Sequence, residues 1–171
     1  VNKLERRIRK QVVAHLSFPS NVVDVPYCLL MMSLVKDVER IGDYAKNLSE
    51  VLALHEEPFP EGEIIDELRE IRREVETRFQ SAAEIFRKSE KERALAQIRM
   101  GRDIAHRCEA LLRKNARSAY DAGTTTAIVL GTRYYKRIDG HLNNILSSVI
   151  MPLHKIDYFD EEEIERQDSD G

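Results

Sequence analysis

No run of apolar residues in this 171-residue chain approaches the ~20 that a membrane-spanning helix requires, and no basic-then-apolar leader opens it. The sequence as it stands predicts a soluble chain. An excess of one charge is missing too: 27 Lys and Arg meet 30 Asp and Glu, for a formal net charge of −3. No acidic or basic tail dominates the long-range field, and composition does not point to nucleic acid as a partner. Cysteine occurs only at Cys28 and Cys108, both in apolar helical pattern and without metal-ligand spacing. That excludes a disulfide framework and indicates reduced core thiols in a cytoplasmic setting. Strand-like alternation is confined to Ala127–Leu130, inside a longer helical period. The chain has no Gly-rich phosphate loop, no Ser-His-Asp set and no pair of buried carboxylates, so catalysis has no evident home.

Helical periodicity fills the rest, and all-α is the predicted class. The five prolines and most clusters of Gly, Ser and Asn fall between periodic segments or near their ends, marking five helices. These run over Val1 to Phe18, about Asp24 to His55, Glu63 to Lys88, Lys91 to Ala119, and Thr125 to Tyr158. Breaks lie at Pro19-Ser20-Asn21, Pro58-Phe59-Pro60 and Asp121-Ala122-Gly123, and Asp24 ahead of Pro26 is a helix-start signal. The third helix places Ile64, Leu68, Ile71, Val75, Phe79, Ala82 and Phe86 on one face. Residues 160–171 form an acidic, polar tail.

The second helix carries two rows. Leu34, Val38, Ile41, Ala45, Leu48 and Leu52 step by four and three, forming one apolar stripe predicted to be buried. Glu39, Asp43 and Asn47 recur every fourth residue on the opposite, solvent-directed side, with Arg40 among them. Carboxylates so spaced lie about 5–6 Å apart at Cβ, a span that a metal ion can bridge. Oxygen donors without thiolate favour hard or intermediate cations. Asp37, two residues before Glu39, lies well around the wheel from it and falls outside that row.

Laid under the second helix at an offset of 97 residues, the fifth pairs Glu39–Leu48 (ERIGDYAKNL) with Lys136–Ile145 (KRIDGHLNNI). Arg40 matches Arg137, Ile41 matches Ile138, and Asn47 matches Asn144. The first helix then corresponds to the fourth. If the third helix opens a three-helix unit, the first unit lacks its opening helix, which is expected upstream of Val1. The chain also starts at Val1 without an initiator Met and already in helical register, which predicts a fragment of a longer protein or a processed one.

At Glu39-Arg40-Ile41-Gly42-Asp43-Tyr44 the chain resembles the PhoU family of phosphate-signalling regulators, whose two three-helix repeats each carry an ExxxD motif, commonly as ERIGD. The opening VNKLERRIRK is similar to the helix that precedes it in that family. The resemblance implies a bundle of long antiparallel helices built from two three-helix repeats: a partial first repeat over 1–57, a second over 61–159, and the tail from 160. It implies iron or another divalent metal ion held by Glu39 and Asp43, with Asn47 continuing the row. In the second repeat Lys136 and Gly140 stand where ExxxD is expected, leaving Asp139 and Asn143 as a displaced pair four apart.

The function implied is non-enzymatic regulation of phosphate uptake or signalling in the cytoplasm, through contact with a phosphate transporter component or a sensor histidine kinase. A homodimer is expected, because an apolar groove left without its helix seeks a partner. The alternatives are a cytoplasmic domain of a sodium/phosphate cotransporter, with a membrane domain upstream, or a carboxylate-bridged metal enzyme on a helical bundle. His106 pairs with Asp103 at three residues without a second such element, so it reads as a surface residue. His141 stands in the repeat position of Tyr44 and is expected at a helix interface, whereas His15, His55 and His154 suggest no partner. Lys3, Arg6, Arg7, Arg9 and Lys10 read as a solvated helix face.

Overall fold

The computed structural model of the chain describes residues 2–18, 24–55 and 57–151. Among these there are five helices and no strand: α1 (Asn2–Ser17), α2 (Val25–Leu54), α3 (Glu63–Lys88), α4 (Lys91–Asn115) and α5 (Ala122–Ser147). The protein is all-α, as its periodicity predicts.

Local chemistry sets the ends. The Asp24 carboxylate accepts from the Tyr27 amide at 3.0 Å, with Pro26 in the first turn where its missing N–H is no loss. Asp121 does the same for α5, accepting from the Thr124 amide at 2.9 Å. Ser89 closes α3 in the left-handed region, at φ 53°, and lets the chain double back into α4. Three ends differ from the sequence reading. α5 begins at Ala122, three residues before the expected Thr125, because the Asp121 cap carries Ala122 and Gly123 into the helix. α4 stops at Asn115, whose side-chain amide donates to the Thr125 carbonyl at 3.2 Å and ties the turn to the next helix. α5 stops at Ser147, short of Pro152, which disfavours helical backbone just ahead of it. The break at Pro19-Ser20-Asn21, the end expected at Tyr158, and the tail lie outside the described residues.

α5 is the central rod, packed by α2, α3 and α4. α3 and α4 also pack on each other, and α1 rests on α2. The densest core, with Ile71, Ile85, Ile98, Ile104, Leu111 and Leu146 all buried, lies inside the α3–α4–α5 bundle. Arg107 of α4 fastens that bundle from outside, donating to Glu67 at 2.8 Å and Glu74 at 2.6 Å on α3.

The stripe read as the core face of α2 is only half buried. Leu34 and Ile41 are covered, but Val38 is 45% exposed and Leu52 62%, and across from them Phe79 of α3 is 55% exposed. The backbones of α2 and α3 do not pack together. Their facing side chains instead border an apolar groove of about 300 Å³ lined by Met31, Leu34, Val38, Ile41, Phe79 and Phe86. The groove continues past Ala45, Leu48 and Leu52. The buried face of α3 correspondingly turns toward Ile65, Arg78 and Ile85, away from Phe79.

The offset of 97 residues acquires a geometric meaning at the α2–α5 contact. Asp37 meets His141, and Tyr44 meets Tyr134, with ring centroids 5.9 Å apart. These two contacts exchange under the offset. Tyr44 and its own counterpart His141 stack on each other at 5.8 Å. Mutual exchange of contacts, with a residue touching its own equivalent, is the pattern of a two-fold relation between the two helices.

Candidate functional site

Glu39, Asp43 and Asn47 lie along one side of α2, as their spacing predicts. Asp43 is part-exposed, but the Glu39 side chain is mostly covered, at 16% exposure. Arg40 stands between them: its Nη1 lies 3.5 Å from Asp43 and its Nε 3.9 Å from Glu39. The Arg40–Asp43 pair is exposed and such pairs contribute only ~0.2–1 kcal/mol, so the guanidinium is loosely held there. The donor set is the larger obstacle to a resident metal. Two carboxylates and one amide on a single helix fall short of a coordination sphere. Among the described residues no three His, Cys, Asp or Glu side chains converge on a point that could hold an ion. The row by itself does not fit a metal site.

Asp139 and Asn143, the displaced pair of the second motif, face inward. Asp139 is 2% exposed and forms an ion pair with Arg78, itself 0% exposed, while Arg78 also donates to the Asn143 Oδ1 at 2.5 Å. Burial pushes the Arg78 guanidinium down to about 10, with Glu74 opposing, so it remains a cation near neutral pH. Gly101 of α4 makes the room: a Cβ there would stand 2.5 Å from Asn143 and 2.7 Å from Arg78. The pair therefore anchors the core, and its carboxylate is already neutralised.

Asp37, set aside in the sequence reading, is buried at the α2–α5 contact. It accepts from Nδ1 of His141 at 2.7 Å and from Nδ2 of Asn144 at 2.9 Å. A carboxylate between Leu34 and Ile41, at a core-facing position, was the available signal, since buried charges require partners. His141 sits at the helix interface as expected.

Beyond Asp37, the outer side of α5 presents a polar depression of about 390 Å³ lined by Arg133, Lys136, Arg137, Gly140, His141 and Asn144. Lys136 reaches Glu109 of α4 at 2.6 Å. A fourth cluster joins His55, stacked on Phe59 at 4.4 Å, to the Thr124 hydroxyl at 3.2 Å. That hydroxyl donates to Asp121 at 2.5 Å, so its proton is directed to a carboxylate and not to the imidazole. The group caps α5 and lacks the nucleophile–base order that acyl transfer needs. On α1, Arg9 pairs with Glu5 at 2.8 Å, in keeping with a solvated face.

No helix among the described residues is long and apolar enough to cross a membrane. Comparison with family models matches residues 1–52 to the PhoU domain. No curated protein and no solved structure matches the chain. The matched segment covers α1 and all but the end of α2, with Glu39, Arg40 and Asp43, and over it the chain is similar to the PhoU domain.

Proposed function

We propose that the chain is a non-enzymatic regulator of phosphate uptake or phosphate signalling that works by holding a partner protein against the groove between α2 and α3. The observation that carries this reading is the coincidence of the PhoU-domain segment with open apolar surface: the α2 stripe of residues 1–52 forms one wall of the groove. Apolar side chains as large as Val38, Leu52 and Phe79 left in water along one continuous face mark a contact surface. A groove with such a lining can take the apolar face of an amphipathic helix. A phosphate transporter component or a sensor histidine kinase, met on the cytoplasmic side of a membrane, is the partner class this reading names. Metal enters it only if the partner adds ligands to Glu39, Asp43 and Asn47.

The test is genetic and structural together. Deleting the coding sequence from its host should alter the rate of phosphate uptake, and the native chain should restore it. A Val38→Glu/Phe79→Glu chain should remain helical by circular dichroism and fail to restore uptake. Unchanged uptake after deletion refutes the regulatory role, and full restoration by the double variant refutes the groove.

A further inference from the structure

We propose that the outer stripe of α5, formed by Arg133, Lys136, Arg137, Gly140, His141 and Asn144, is a binding site for a phosphate-bearing anion. Under the two-fold relation this stripe is the counterpart of the acidic row. Glu39, Asp43 and Asn47 correspond to Lys136, Gly140 and Asn144, and Lys36 and Arg40 correspond to Arg133 and Arg137. The second copy keeps the flanking cations and replaces both carboxylates, so the sign of the site is inverted.

Three features argue that the stripe is built for an anion and is not an ordinary solvated face. First, charge is left over. Glu109 answers Lys136, and Asp37 is engaged by His141 and Asn144, but Arg133 and Arg137 meet no carboxylate among the described residues. On α3, by contrast, Arg69, Arg72 and Arg73 each pair with an acid of their own helix. Second, His141 and Asn144 are held in place from beneath. The buried Asp37 fixes one ring nitrogen of His141 and the amide of Asn144, and Tyr44 stacks on the imidazole. Such bonding from below orients side chains toward a ligand before it arrives.

Third, Gly140 lies in the middle of the stripe. A glycine inside a helix is unfavourable relative to alanine. At Gly101 the fold requires it, but a Cβ at 140 would meet nothing within 4 Å. Packing gives no reason for Gly140. Close approach of an external group to the helix surface, between Lys136 and Asn144, does. Cations spaced by three and four on a helix share one face, so two guanidiniums, an ammonium and an amide can address several oxygens of one phosphate or of two linked ones.

The ligand chemistry has two sources, a free phosphate anion and the headgroup of an anionic lipid. Calorimetric titration of the purified chain with inorganic phosphate and pyrophosphate, beside flotation with phosphatidylglycerol/phosphatidylcholine vesicles, separates them. Binding to either source is expected, and it should weaken about tenfold in Arg133→Gln and in Arg137→Gln, the weight of one charge-assisted contact. Glu109→Gln, which releases Lys136, should tighten it. Gly140→Ala should weaken binding while raising the melting temperature, a combination that damage to the fold cannot produce. Saturable binding of the free anions with this order of variants identifies a soluble ligand; vesicle binding alone, in the same order, identifies a headgroup. Absence of binding to all three probes overturns the proposal, as does binding indifferent to Arg133, Arg137 and Gly140. The site stands apart from the regulatory reading, since binding to the purified chain and uptake in cells can each fail without the other.

Discussion

Removing the Asp139 carboxylate strands a cation in the core. Arg78 is 0% exposed, and its charge is met inside the bundle by Asp139, with Asn143 as a neutral acceptor. In Asp139→Ala the guanidinium keeps its desolvation and loses its counter-charge, a change that costs about 3–5 kcal/mol in buried pairs. Against a total stability of about 5–15 kcal/mol the loss is large. At ~2–4 °C per kcal/mol for a chain of this size, the melting midpoint should fall by about 6–20 °C. Replacing both partners, as Arg78→Met/Asp139→Leu, removes the stranded charge and should recover most or all of that loss, since apolar replacements of buried pairs are often neutral or better. Thermal and urea unfolding followed by circular dichroism read all three proteins, and Arg78→Met and Asp139→Leu made singly complete a double-mutant cycle. A single variant melting within about 2 °C of the parent would refute the buried pair. So would a double variant no more stable than Asp139→Ala.

Burial of Cys108 pushes its thiol up to about 11, and Cys28 is also buried, so neither should react with a thiol reagent at pH 8 until urea unfolds the chain; rapid labelling of the native protein contradicts this. The Asp121 carboxylate, accepting from the Thr124 hydroxyl and amide, is held below the usual carboxylate range. Its contribution is therefore present above the unfolded value and lost as pH falls through the lower folded one. The melting difference between parent and Asp121→Ala should be constant from about pH 5 to 8 and shrink below about pH 4; a difference undiminished at pH 2 excludes the cap as its cause. Gly101→Ala should lower the melting temperature despite alanine's helix propensity, because its Cβ would meet Asn143 and Arg78; a rise would show that the core yields there.

Much of the molecule is legible along the chain because its causes are local. The start of α2 follows from a carboxylate three residues ahead of an amide, and every helix carries its own period, whereas α5 starts three residues earlier than its period indicates because Asp121 caps it. The acidic row and its inverted copy are likewise sequence facts, since they need only a spacing and an offset. The finer fate of apolar residues is not legible in the same way. Periodicity marks Val38, Leu52 and Phe79 as apolar-face residues, but burial depends on how far another helix covers them, and α1, which reaches the groove through Leu4 and Ile8, leaves all three exposed.

The sequence by itself determined five amphipathic helices, the capped start of the second, the PhoU-like ExxxD segment and the loss of that motif's acids in the second copy. Only the tertiary structure decided which charges are spent inside the fold and which remain for a ligand. Asp139 and Asn143 are committed to Arg78, with Asn143 65 residues away in the chain, and Asp37 is committed to His141 and Asn144, 104 and 107 residues away. Arg133 and Arg137 are left on the surface. A spacing rule sees neighbours on one helix, whereas a side chain's electrostatic partner is chosen by helix packing across the whole chain.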